Sequence, residues 1–317
     1  VGENNQLLYS NLHHNRVAGA LVAYQKNFSA DSNHFAWNGH EADGGTGYGI
    51  ASMAGSYNFG ISYTRNNTDH NYRKGLDVHD GNHITIENNL LNGDRLYGIG
   101  VYNRQFTMDD VSIRNNRISA DKTFRLAVDD GNEDGSASNY HLYSGIQLQT
   151  NTQHAIQDLR STGPGKFDIS DNRISGIELY QNGHHTYGIE FRNHEPTMDY
   201  ALNIRGNHIS GDSSKHFIGI YNETRHQNGS VGEGSGDINI EGNTMDFASI
   251  APGAAPVYIE EKASDGKLRG GVKVHNNRLT IREASDGTTE AIELNGNGKT
   301  YEVSHNTIEL HGSVYSP

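Results

Sequence analysis

The segment Arg73-Lys74-Gly-Leu-Asp77-Val-His79-Asp80 gathers an imidazole, two carboxylates and two cations in eight residues of a 317-residue chain. In an extended strand, period-two alternation sends Asp77 and His79 to one face and leaves Asp80 at the turn. A carboxylate placed this way can fix the tautomer and aim of the imidazole, which then moves a proton near neutral pH. A related segment, Tyr97-Gly-Ile-Gly100-Val-Tyr102-Asn-Arg104, has the same spacing. Stacked on the first, it sets Tyr102 beside His79, and sets Gly100 beside Asp77, where a missing side chain leaves room for a ligand. These residues suit abstraction of the C-5 proton of a uronic acid. His79 and Tyr102 serve as base and acid, Asp77 orients the ring or shares a proton with a substrate carboxylate, and Arg73, Lys74 or Arg104 offsets the sugar carboxylate. Strict alternation turns Lys74 inward, where a lysine is rarely buried, so its part in the site requires a bend at Gly75.

Stacking of this kind is written along the chain. Seven variants of one phrase end at Asn89, Asn116, Asn172, Asn207, Asn243, Asn277 and Asn306, each with apolar residues at alternate positions before the Asn. The pattern reads as a short strand ending in a turn where Asn adopts the left-handed conformation, with the stacked Asn side chains forming a hydrogen-bonded ladder. The Asn positions step by 27, 56, 35, 36, 34 and 29 residues, and the 56 reads as two coils with one degenerate copy between them. Periods of this length mark a solenoid whose coils bury their apolar faces only against their neighbours. The fold expected is all-β, a single-stranded right-handed parallel β-helix of about eight or nine coils, forming one domain over 1–317. Ile86, Ile113, Ile169, Ile204, Ile240, Val274 and Val303 should form one interior column. A hydrophobic content of 33% and 38 Gly suit a thin core with many turns.

A second series contains Tyr48-Gly-Ile50, Lys74-Gly-Leu76, Tyr97-Gly-Ile99, Ser144-Gly-Ile146, Tyr187-Gly-Ile189 and Ile218-Gly-Ile220. With the Ile inward, the next outward residues form an external stripe: Asp77/His79, Gly100/Tyr102, Gln147/Gln149, Glu190/Arg192 and Tyr221/Glu223. Such a stripe is the lining expected of a groove for a long sugar chain, with Asp77, His79, Tyr102, Gln147, Gln149, Glu190 and Arg192 on one exposed face. Arg73, Arg104, Gln147, Gln149, Glu190, Arg192 and Glu223 are its candidate substrate-binding residues. Glu190 and Glu223 on adjacent coils would lie roughly 8 Å apart, a separation that suits an inverting glycosidase.

Composition narrows the partners. The formal charge is −13, with almost all of the acidic excess after residue 125, while Arg65, Arg73, Lys74, Arg95 and Arg104 crowd the His79 region. No basic stripe is long enough to track a phosphate backbone, so nucleic acid is disfavoured. The sequence has no apolar run able to cross a membrane and no signal-peptide pattern at Val1. Without Cys there is no disulfide or thiolate site. The expected chemistry requires no cofactor. Asp130-Gly-Asn132-Glu-Asp134-Gly matches the first half of a calcium loop, with His141 where the bidentate Glu belongs; an Asx-rich turn is the simpler reading, and Ca2+ the alternative. His13-His14 and His184-His185 lack the spacing of zinc ligands.

Gly75-Leu-Asp77-Val-His79-Asp80 resembles the Tyr-Gly-Phe-Asp-Pro-His-Glu/Asp motif of the mannuronan C-5 epimerases, which are similar in fold to several polysaccharide lyases and phage tailspike depolymerases. The resemblance implies a parallel β-helix in which Asp77 and His79 are catalytic. Lys74 stands where that family has a catalytic Tyr, and Val78 where it has Pro; Tyr102 is placed to replace the missing Tyr from the next coil. The Asp-Phe-Gly-Ala opening of such proteins is absent, which suggests that Val1 is not the natural start or that the branch is divergent. Three functions remain: a lyase or epimerase acting on a bacterial or algal polysaccharide, a tailspike-type hydrolase that would be a homotrimer, and a non-catalytic β-helix adhesin or shaft. All three place the protein outside the cell or on a virion.

Overall fold

The computed structural model describes residues 1–40, 46–104, 106, 108–124, 143–150, 165–178, 186–193, 200–222, 236–250, 254–261, 270–283, 290–296 and 299–311. Within these, three parallel sheets of 11, 9 and 10 strands run side by side, and the chain visits them in rotation. This is a right-handed parallel β-helix. Nine full turns and two strands of a tenth are present among the described residues.

The interior column forms as the repeat requires. Ile86 pairs with Ile113, Ile113 with Ile169, Ile169 with Ile204, Ile204 with Ile240, Ile240 with Val274 and Val274 with Val303. Every member is buried except Val303, which is half exposed on the last described strand of its sheet. The step of 56 is corrected: Asn116 Nδ2 donates directly to Asn172 Oδ1 at 3.0 Å, and the Asp110–Arg114 strand pairs directly with Gly165–Ser170. One enlarged coil, whose Tyr143–Gln149 strand keeps its place in the 9-stranded sheet, spans that interval.

The turn geometry is also corrected. The left-handed residue is the one before each ladder Asn: Asn88, Asn115, Asp171, Gly206, Gly242, Asn276 and His305 all have φ between 54° and 64°. This frees the following Asn to turn inward and bond. Asn207, for example, donates through Nδ2 to Ile169 O at 2.9 Å and to Asn243 Oδ1 at 3.0 Å, and accepts from Asn172. The ladder also begins two coils earlier, at Asn33 and Asn66, which bond to each other and on to Asn89. A second ladder, Asn38 to Asn71 to Asp94, lies at the turn leading into the 9-stranded sheet.

Candidate functional site

The site sheet stacks the strands Ala18–Val22, Tyr48–Ser52, Lys74–His79, Tyr97–Tyr102, Tyr143–Gln149, Thr186–Arg192, His216–Asn222, Val257–Glu261 and Ile292–Gly296. In the Lys74–His79 strand, Leu76 and Val78 point into the core, so Asp77 and His79 share the outer face. Lys74 joins them because the strand bends at Gly75. A Cβ on Gly75 would come within 2.2 Å of Asp94 Oδ2 and 2.7 Å of Thr68 Oγ1, so this position faces the interior, as does Leu76 after it. Two successive inward residues break the alternation and leave Lys74 and Asp77 on the same side.

The result is a short charge line. Lys74 Nζ donates to Asp77 Oδ1 at 2.9 Å, and His79 Nδ1 lies 2.8 Å from Asp77 Oδ2. Burial raises the Asp77 pKa, but the charges of His79 and Lys74 and their hydrogen bonds outweigh it and hold the carboxyl below the usual carboxylate range. Asp77 is therefore ionised at neutral pH. With Nδ1 against Asp77, proton transfer falls to the other ring nitrogen, Nε2, which is itself buried. Tyr102 pairs in register with His79 and its ring stands edge-on to the imidazole at 5.4 Å between centroids. Three tyrosine rings surround the Lys74 ammonium, with centroids at 5.7 Å (Tyr48), 5.3 Å (Tyr97) and 6.0 Å (Tyr102). Such contacts partly replace the hydration a buried ammonium loses.

The expectation of an open face is corrected. Asp77 is 0% exposed, Lys74 1%, His79 5%, Gln147 7% and Glu190 0%. Gly100 does not leave a void, because the Lys74 stem fills it: a Cβ there would meet Lys74 Cδ at 3.2 Å. The accessible edge of the stripe is the His79 row, in which Tyr102, Gln149 and Arg192 are half-buried and stack in register. Arg73 is buried at the entrance to its strand, with 3% exposure, which does not suit a guanidinium meeting a substrate in solution. Arg104 is half-buried, with its guanidinium 5.5 Å from the Tyr102 ring. Asp80 is a tie between coils, accepting from Gly55 N and Arg104 N at 2.7 Å each.

Glu190 is not set up as a hydrolytic acid. Its Oε1 accepts a hydrogen bond from Arg192 Nε at 2.6 Å, and its Oε2 accepts from Ser144 Oγ at 3.2 Å and Gln147 Nε2 at 3.3 Å. The next coil is also shifted by two residues from the expected register. Ile189 pairs with Ile218, not Ile220, so Gly219 and Tyr221 flank Glu190 and Arg192. Phe217 stands where the preceding strands of this sheet have Gly, and its ring stacks on Phe247. Glu223, Asp130, Asn132 and Asp134 lie outside the described residues; among those described, no cluster of His, Asp and Glu could hold a metal.

Sequence reasoning missed two kinds of contributor. Tyr48 and Tyr97 stand in the Gly-Ile series at the place of Lys74, where strict alternation points inward; as at Lys74, they lie on the outer face, around its ammonium. Ser52, whose hydroxyl donates to the His79 carbonyl, had no signal beyond its place one coil earlier.

No family model matches the chain, and no curated protein matches it. Among solved structures it is similar to endo-xylogalacturonan hydrolase from Aspergillus tubingensis, with 9% identity, a TM-score of 0.36, and coverage of 98% of this chain and 88% of that one. A likeness of that extent says nothing about chemistry, and the fold stands on the strand register itself.

Proposed function

We propose that this protein acts on an extracellular acidic polysaccharide, abstracting the C-5 proton of a uronate residue as a lyase or epimerase. The observation that carries this reading is the Lys74–Asp77–His79 line, with Tyr102 in register beside the imidazole. In the reaction, His79 Nε2 takes the C-5 proton and the C-5–H electron pair passes into the adjacent carboxylate, as an enolate. Asp77, kept anionic by Lys74, stabilises the imidazolium that forms. In elimination, the bond from C-4 to its glycosidic oxygen breaks, Tyr102 protonates that oxygen, and a 4,5-unsaturated uronate results. In epimerisation, Tyr102 returns a proton to C-5 from the opposite face. Arg104, half-buried with its guanidinium over the Tyr102 ring, is suited to the uronate carboxylate.

The test is incubation with a panel of acidic and neutral bacterial and algal polysaccharides, recording ultraviolet absorbance, reducing ends and uronate configuration. Unsaturated or inverted uronates support the reading. New reducing ends without either change point to a tailspike-type hydrolase, and binding without any product points to an adhesin.

A further inference from the structure

We infer that the groove selects an acidic glycan whose carboxylates sit on non-adjacent sugars, held by two matched arginine–tyrosine units on either side of a neutral section. The inference rests on the groove being a glycan site, as proposed above, and adds the substrate's charge pattern. Along the accessible row, the Arg104 guanidinium lies 5.5 Å from the Tyr102 ring, and the Arg192 guanidinium lies 5.1 Å from the Tyr221 ring. Tyr102, Gln149, Arg192 and Tyr221 follow one another in register on four successive strands. Arg192 leans from its own strand toward the next, so the two guanidinium groups are two to three strand steps apart, ~10–14 Å along the helix axis.

Between them the lining changes character. The Tyr143–Gln149 strand carries no cation, and Gln147 and Gln149 present amides 3.5 Å apart above buried Glu190. A sugar carboxylate opposite this section would meet amides and, behind them, a fixed anion. Beyond Tyr221 the surface turns acidic, with Glu260 in the Tyr221 row and Glu293 beside Tyr258. The stripe therefore offers favourable anion contacts at two points and unfavourable ground between and beyond. An extended sugar chain advances by about one strand spacing per residue, so both points are met by carboxylates separated by one or two neutral sugars. The Arg192 side chain keeps 23% of its surface exposed, and Glu190 and Tyr187 take only part of its donor set, as suits a fork that must also grip a ligand carboxylate.

The test uses four tetrasaccharides of one backbone, carrying carboxylates on residue 1 alone, on 1 and 2, on 1 and 3, or on 1 and 4. They are titrated calorimetrically into the His79→Gln protein so that turnover does not enter. The 1,3 or the 1,4 compound should bind ~10-fold or more tighter than the single-acid compound, and the 1,2 compound should gain little. Arg192→Gln should reduce the best compound to the single-acid level. Because that change strands Glu190 without its partner, the Glu190→Gln/Arg192→Gln double variant, which removes both charges, should do the same. Equal affinity for all four, the 1,2 compound binding tightest, or indifference to both variants would overturn the inference. Wild-type turnover of a homopolyuronate with no spacing preference would overturn it while leaving the proposed chemistry standing. A clear spacing preference without any change at C-5 would do the reverse.

Discussion

Asp77 is a buried carboxylate whose two oxygens are divided between an ammonium and an imidazole, so removing either its charge or its partner affects more than one group. Asp77→Asn should keep the fold but lower turnover by ~10²-fold or more, because the amide can no longer both hold the tautomer and balance the imidazolium. His79→Gln should be comparably damaging to turnover. It is a better test than His79→Ala, which opens a cavity beside a buried carboxylate. Glu190→Gln should leave most activity, since Glu190 is committed to Arg192. Steady-state rates and circular dichroism on the same preparations check all three. Asp94 is a second buried carboxylate with the opposite behaviour: burial pushes its pKa up to about 7, against the hydrogen bonds from Thr68 and Asn71. The native state therefore holds this proton over a range where the unfolded chain releases it. Stability from this group is greatest below about pH 4 and falls as pH rises toward 7, by up to about 4 kcal/mol. Asp94→Asn, which continues the Asn38–Asn71 ladder, should raise the melting temperature above pH 7 and change it little near pH 4.

At the scale of the element, the ladder and the bend set the site. Asn207→Ala removes two bonds donated by the side-chain amide and leaves Asn172 without its acceptor, and should cost about 3 kcal/mol or more by chemical denaturation. Gly75→Ala must displace Asp94 or Thr68, and should lower both stability and activity by pulling Lys74 out of line with Asp77. How much of this was legible follows the strength of each local signal. The Ile-x-Ile-x-x-Asn phrase specifies inward residues and the ladder at once, so the column from Ile86 to Val303 could be read directly. Phe28-Ser-Ala30 before Asn33 and Ile61-Ser-Tyr63 before Asn66 keep the spacing but put Ala or Tyr where the other copies have Ile or Val, so these two rungs are weaker in residue type than in register. The pairing of Asp77, His79 and Tyr102 needs only period two and one coil step. The outward turn of Lys74 and the register of His216–Asn222 depend on what packs beneath, Asp94 and Thr68 in one case and Phe247 in the other. Burial of the site is likewise a property of neighbouring coils, not of the strand.

Across the whole molecule, each coil is supported only by the next, so position along the axis should decide sensitivity. Ile204 is fully buried in a middle coil and Val303 is half exposed at the end. Ile204→Asp should cost on the order of 3 kcal/mol or more, and Val303→Asp less than about 1 kcal/mol. Hydrogen exchange should show protection highest in the middle coils and lowest in the Thr300–Ser304 and Thr307–Leu310 strands. On the function proposed above, the same axial order lets the site sheet read a polysaccharide strand by strand, with proton transfer at the His79 strand. The measurement that tests this most directly is proton NMR of an acidic polysaccharide turned over in deuterium oxide. The account predicts that wild-type protein removes the uronate H-5 signal, by elimination or by exchange for deuterium, and that Asp77→Asn protein leaves it. Chain cleavage with the H-5 signal fully retained would contradict it.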